Sequence, residues 1–315
     1  MRTSLNKDQT IKYVKKETLW HRIKKNKTAY AYILPSTLVV IIFSLIPILY
    51  GVSLAFTNSN IYTMSSNSVK FVGLKNFIKI FKGMDQEFVT ILLRTIVWTI
   101  VNVFFHVSIG LSLALLLNKK GLRFKKLYRI LLILPWAVPQ LVTCLIWKIM
   151  FNYDIGMINQ ILTKIGLAKV PWLNDPKMAF VAIIMVNVWL GVPFMMMVAT
   201  GALQSISDNF YEAANIEGAS WWQKFRYITL PMIKPAMVPA ITLGFIWTFT
   251  NFNVAYLVTK GEPNRATELI QTYTYNQMTA GNYSKAAAYG VIVFAILFIL
   301  NLISTKINNI FEEDN

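Results

Sequence analysis

Six stretches of this chain are apolar for about the length that a bilayer demands, and that fact constrains the fold more than any other. A hydrocarbon core of ~30 Å needs roughly 20 apolar residues in one helix, because lipid offers no partner for an open backbone N–H or C=O. The runs cover residues 29–57 ("AYAYILPSTLVVIIFSLIPILYGVSLAFT"), 88–117, 127–151, 178–203, 236–259 and 286–307. The composition agrees: 55% of the 315 residues are hydrophobic and 14% are charged, against about a quarter charged in soluble domains. The fold expected is an all-α integral membrane protein of six transmembrane helices. The first run is too long for the apolar core of a signal peptide and ends in "SLAFTNSN" without a convincing small-x-small cleavage site, so it reads as a retained span.

The formal net charge of +17 has no nucleic-acid reading, since no basic stripe with interleaved aromatics lies outside the apolar runs. Lipid headgroups are the expected counter-charge. Nine Lys and Arg residues precede the first run and six occupy 118–129; with three in 204–235 and Lys306, nineteen fall on one side against ten in the other loops. The positive-inside rule then places both termini on the cytoplasmic side of the cell membrane. The chain divides into a basic tail (1–28), a six-span domain (29–307) and a short C-terminal tail (308–315). The first tail reads either as an amphipathic surface helix or as an irregular segment that enforces topology. Cys144, the single cysteine, lies in an apolar run and is expected to pack there. The sequence has no phosphate loop, no H-E-x-x-H and no nucleophile elbow. It is read as a transport subunit and not an enzyme; any ATP and Mg would be bound by another chain.

The polar stretch "NFYEAANIEGASWWQKFRYITLPMIKPA" (209–236) interrupts this pattern. Read locally, it is two short helices outside lipid, within a segment 208–235. Asp208 is expected to cap the first, which ends at Gly218, a residue that accepts the left-handed conformation. Ser220 with Gln223 forms a capping box for the second, "WWQKFRYITL", which Pro231 should end. Ala214 and Gly218 form a small-residue strip, Phe210 and Tyr211 flank it, and Glu212 places an acid on a basic face. A solvated loop helix is the plainer reading.

The words "EAANIEGASWWQKFRYITLPMIKP" resemble the E-A-A-x(3)-G loop of permease subunits in bacterial ABC importers. "ILPSTLVVIIFSLIPILYGVSLAFTN", "FVGLKNF", "LLILPWAVPQLV" and "VNVWLGVPFMMMVATGALQSIS" resemble other parts of the same family, in its binding-protein-dependent sugar branch and its maltose-type first permease subunit. That resemblance implies the type I importer fold and a cytoplasmic coupling helix that docks on the ATPase. Tyr211, Glu212, Ala213, Ala214 and Gly218 would form that contact. The partners implied are a second homologous permease, two cytoplasmic ATPase subunits, an extracytoplasmic solute-binding protein, a sugar substrate and membrane lipid, with no nucleic acid. Lys224 and Arg226 are expected to meet phospholipid or solvent.

Polar side chains in spans usually face a cavity or a neighbouring helix. Asn187, Leu190, Gly191 and Phe194 recur at i, i+3, i+4 and i+7, and Gly244, Trp247, Thr248 and Asn251 repeat the spacing. Such faces are either helix-packing surfaces or two walls of one uncharged cavity. The resemblance to maltose-type permeases implies the second, although Phe194, Trp247 and Thr248 replace that subunit's tyrosine, phenylalanine and asparagine. His106 is read as an interhelical hydrogen bond or a proton relay; Arg94 and Lys148 should snorkel outward. Asn253, Tyr256 and Asn276 are further cavity or gate candidates. The function expected is import of a sugar or oligosaccharide, with a neutral polyol such as a glycerol phosphodiester, an ion-coupled transporter and a structural subunit as alternatives.

Overall fold

The computed structural model describes residues 25–119 and 121–313, and the chain falls into two compact units, 1–53 and 54–315. Most of the basic tail expected at 1–28 lies outside the described residues. The described part of the first unit belongs to one apolar helix, α1 (Lys27–Leu54), with a π turn at Ile41–Leu45.

The second unit holds α2 (Ile61–Ser65), α3 (Lys75–Lys79), α4 (Gln86–Asn118), α5 (Lys125–Ala137), α6 (Gln140–Met150), α7 (Met157–Lys164), α8 (Pro176–Gln204) and α9 (Asp208–Ile216). It continues with α10 (221–249), α11 (Asn253–Val258), α12 (Ile270–Thr279) and α13 (Tyr283–Glu313). Among the described residues the only β pairing is an isolated bridge between Thr57 and Phe71. Among the described residues five helices are long and apolar enough to cross a bilayer, and the α5–α6 pair brings the number to as many as six.

Two of the expected spans are broken. The third run bends by 94° between α5 and α6. Val138 is extended there, as a residue before proline prefers, and Pro139 has no N–H with which to continue a helix. The fifth run ends as a helix at Phe249 and resumes only at Asn253. Pro231, expected to stop a helix, stands inside one: α10 runs from Trp221 through a π turn at Phe225–Thr229 into Leu230–Phe249. The wider turn just ahead of Pro231 puts its missing donor at the first turn of the segment that follows, where proline is tolerated.

The centre of the second unit is the contact between α4 and α8. A side-chain carbon at Gly110 on α4 would lie 2.7 Å from Met195 Cβ and 2.9 Å from the Met196 backbone nitrogen, so the two backbones meet with nothing between them. Around the contact, Ala114, Leu117, Met195, Met196, Ala199 and Leu203 pack with Ile233 and Met237 of α10. Cys144 is fully buried beside Trp98, Phe151 and Ile183, in the packing role expected of it.

At the end of the bundle opposite α9, a nearly buried carboxylate ties three helices together. Asp85 caps α4 through the Phe88 N–H (3.3 Å), accepts from the hydroxyls of Tyr273 (3.2 Å) and Tyr289, and pairs with Lys285 at 3.0 Å. Burial opposes its charge, but the Tyr289 and Lys285 contacts outweigh that and hold its pKa below the usual carboxylate value. Arg94, expected to point outward, instead donates to the carbonyls of Arg265 (2.6 Å) and Glu268 (3.2 Å). Those carbonyls turn inward over α4, and a guanidinium can satisfy both. Arg265 is fixed in turn by Glu87 (2.8 Å) and Glu268 (2.6 Å), and Glu268 accepts from Asn276.

Two outcomes follow from these contacts. Gly110→Leu should lower the thermal midpoint of the purified chain, since an overpacked helix contact costs about 1–3 kcal/mol. Gly201→Ala, where added bulk meets nothing within 4 Å, should leave the midpoint unchanged. Asp85→Asn should cost about 1–3 kcal/mol through unmatched buried partners. A carboxylate whose folded pKa is depressed stabilises above its unfolded value, near 4, and loses that stabilisation as pH falls through the folded one. The acid limb of the stability profile below about pH 4 should therefore flatten in Asp85→Asn.

Candidate functional site

All eight residues expected to face a substrate line one cavity of about 590 Å³. On α8, Asn187, Leu190, Gly191 and Phe194 share the helix face that the spacing implied, and Gly244, Trp247 and Thr248 do so on α10. Asn251 reaches the same cavity by another route. It lies beyond the end of α10, where its Oδ1 caps α11 by accepting from the Val254 N–H at 3.0 Å, and its Nδ2 donates to Asn187 Oδ1 at 3.4 Å. The position is the one expected, but it is not a helical one, because the helix stops at Phe249.

The walls are apolar and aromatic with a few fixed polar groups. Trp247 is half exposed, and its ring meets Phe194 at 5.1 Å between centroids. Gly244 lies against the tip of Met195. Thr248 is buried and its carbonyl accepts from Trp98 Nε1 at 3.1 Å, which holds α10 against α4. His106 enters from α4: Nε2 lies 2.9 Å from the Asn187 carbonyl oxygen, and the ring occupies the space that a side chain at Gly191 would need. Of its two readings, the structure shows the interhelical hydrogen bond.

The breaks in the third and fifth runs supply the wall that periodicity missed. Trp136, Val138, Pro139 and Gln140 line the cavity from one break, and Thr250, Phe252 and Asn253 from the other. Asn253 Nδ2 donates to Gln140 Oε1 at 3.0 Å, joining the two breaks. The signals available were Pro139 inside an apolar run and the pair Asn251 and Asn253 near the end of another. Tyr256 packs instead on Phe252 and Tyr275, and Asn276 donates to Glu268, so neither lines the cavity. Apart from the His106 imidazole, no acidic or basic side chain lines the cavity among the described residues.

At the other end of α8 lies α9. Its N-cap is Ser207, which accepts from the Asn209 N–H, so Asp208 is the first helical residue and not the cap. Gly218 adopts φ +75° just past the helix, with open space around it. The capping box of Ser220 and Gln223 is present as expected. The five coupling candidates divide between two faces. Ala214 is buried, and Tyr211 packs on the α8–α10 core while its hydroxyl bonds Thr229 Oγ1 at 2.9 Å. Glu212 and Ala213 point outward, beside an Ile216 that is 89% exposed. At 100° per residue, 211 and 214 cannot share a face with 212, 213 and 216. The small-residue strip of Ala214 and Gly218 is thus divided between the protein and the open surface. Lys224, expected to meet lipid or solvent, donates to Asn215 Oδ1 at 2.6 Å and pins α9 to the base of α10.

Comparison with known proteins agrees with this architecture. Residues 106–313 match the family of binding-protein-dependent transport system inner membrane components. The chain is 37% identical to the galactooligosaccharides transport system permease protein GanP of Bacillus subtilis, over 95% of this chain and 74% of that one. It is 31% identical to the trehalose/maltose transport system permease protein MalF of Thermococcus litoralis, over 91% of this chain and 95% of the relative. Among solved structures, a chain of a bacterial ABC transporter involved in the import of the acidic polysaccharide alginate superposes with a TM-score of 0.78. That match has 25% identity and covers 92% of this chain and 99% of the other.

The seat of α9 can be tested apart from any transport assay. Tyr211→Phe removes one hydroxyl bond worth about 0.5–1.5 kcal/mol, so amide exchange in 208–216 should quicken by a corresponding factor while the amides of α4 and α8 stay protected. Equal exchange in both proteins would show that α9 does not depend on that bond.

Proposed function

Because the chain belongs to the family of binding-protein-dependent transport system inner membrane components, we propose that it is one of two permease subunits of an ABC importer for a neutral oligosaccharide. In this reading a binding protein delivers the sugar from outside, a second homologous permease completes the pathway, and two cytoplasmic ATPase subunits hold ATP and Mg. The chain contributes the path and no hydrolytic chemistry. Both termini and α9 face the cytoplasm, in line with the excess of Lys and Arg in the loops on that side.

The observation that carries the substrate class is the uncharged cavity. Amide groups can match sugar hydroxyls, and the Trp247 and Phe194 rings give an apolar platform for the C–H face of a pyranose. A carboxylated sugar such as alginate would bring net negative charge, and a glycerol phosphodiester, even where a cationic headgroup leaves it net neutral, an ionised phosphate, into a cavity whose described lining has no Lys or Arg to meet it. This favours the neutral sugars named for the two relatives over the acidic one named for the solved structure.

In the same reading, Glu212, Ala213, Ile216 and the Gly218 turn form the surface that the ATPase grips, and Tyr211 and Ala214 fix that surface to the permease. A rigid push on α9 then reaches the base of α10 through Tyr211–Thr229 and Asn215–Lys224.

The test is uptake by the full complex in proteoliposomes, with maltotriose and β-1,4-galactotriose compared with an alginate trimer and glycerophosphocholine. At least one neutral trisaccharide should enter in an ATP-dependent manner and the charged solutes should not. Preferred uptake of either charged solute would refute the assignment. In the same vesicles Glu212→Lys and Gly218→Val should reach the membrane in normal amounts yet lower uptake about tenfold, a coupling loss of about 1.4 kcal/mol. Normal uptake by both would remove the coupling role.

A further inference from the structure

We propose that His106 contacts the substrate: its Nδ1 accepts a hydrogen bond from a hydroxyl of the transported oligosaccharide, while its Nε2 is committed to the cavity wall. This rests on the oligosaccharide reading above and adds to it a residue from α4, a helix that neither periodic face includes.

The geometry sets the roles of the two nitrogens. Nε2 lies 2.9 Å from the Asn187 carbonyl oxygen, which can only accept, so Nε2 carries the proton. A neutral ring then leaves a lone pair on Nδ1. The ring edge Cε1–Nε2–Cδ2 is the one pressed on Gly191, where an added side-chain carbon would lie 2.7 Å from Cδ2 and closer still to the other two atoms. Nδ1 is not among those three nearest ring atoms. His106 lines the cavity, and Nδ1 is absent from the buried polar atoms that lack a partner among the described residues, namely Ser59 Oγ, Asn102 Oδ1, Thr143 Oγ1 and Asn187 Nδ2.

What makes this acceptor matter is that three of the four side-chain amide oxygens of the lining already accept a hydrogen bond each, the fourth being Asn253 Oδ1. Asn187 Oδ1 takes Asn251 Nδ2, Asn251 Oδ1 takes the Val254 N–H, and Gln140 Oε1 takes Asn253 Nδ2. A sugar hydroxyl that enters must give up its proton bond to water, and an unspent acceptor on a fixed ring replaces it without rearranging the wall. A proton relay through His106 would need an acid or base to hand the proton on, and the described lining offers neither.

The experiment uses the complete complex and whichever of maltotriose and β-1,4-galactotriose the wild type imports. At matched amounts of assembled complex, His106→Leu should lower kcat/KM for uptake about tenfold, roughly one hydrogen bond, and His106→Gln should recover part of the loss. Against the mono-deoxy analogues of that sugar, the wild type should show a penalty for one particular hydroxyl that His106→Leu no longer shows. A second readout leaves His106 in place: with ¹⁵N-histidine in this chain and His21→Gln to remove the other histidine, the Nδ1 resonance of His106 should move upfield when sugar binds. Unchanged kcat/KM with every deoxy penalty intact, or an Nδ1 resonance indifferent to bound sugar, would overturn the inference alone. No uptake of either trisaccharide by the wild type would overturn the oligosaccharide reading and the inference with it.

Discussion

The second unit depends on the close approach of α4 and α8, which two glycines permit. Gly110 lets the backbones touch at Met195 and Met196, and Gly191 leaves room for the His106 ring. Apolar surface gives little drive for helices to associate in lipid, so backbone proximity and interhelical hydrogen bonds must do that work. Here the hydrogen bond is His106 to the Asn187 carbonyl, a contact between two residues that both line the cavity. Packing and site are therefore the same few atoms: a side chain at Gly191 would displace the histidine and with it one wall.

α10 links the cavity to α9. It is continuous from Trp221 to Phe249 and carries Thr229 at one end and Gly244, Trp247 and Thr248 at the other. The α9 segment is stiffened at both ends, by Ser207 and by the Gly218 turn, and bonded sideways to α10. A displacement of α9 has a direct mechanical path to the aromatic wall. On the far side, Asn253 and Gln140 join two helix breaks at the cavity edge. Breaks of this kind are tolerated at membrane depth where they line a cavity.

Much of this was legible in the sequence, because hydrophobic run length and helical periodicity are physical requirements of a bilayer. The two faces converged because a period of 3.6 holds throughout α8 and as far as Phe249. Asn251 shows where that logic stops: its spacing was right, yet it acts as a cap beyond the helix end. Pro139 broke a span and Pro231 did not, and the difference lies in the π turn ahead of Pro231, which leaves no mark in composition. The motif resemblance groups Tyr211 and Ala214 with Glu212; the helix puts them on opposite faces. His106 was visible as a mid-span polar residue, but its role depends on Gly191, 85 positions away.

The central claim is that a neutral sugar passes between the faces of α8 and α10, over His106. It is tested most directly by a density map of the assembled importer with a bound trisaccharide, halted with hydrolysis-deficient ATPase subunits. The account predicts a pyranose ring against Trp247 and Phe194, with a hydroxyl within hydrogen-bond distance of His106 Nδ1. Sugar density held wholly by the second permease, with the cavity around Asn187 and His106 empty, would contradict it.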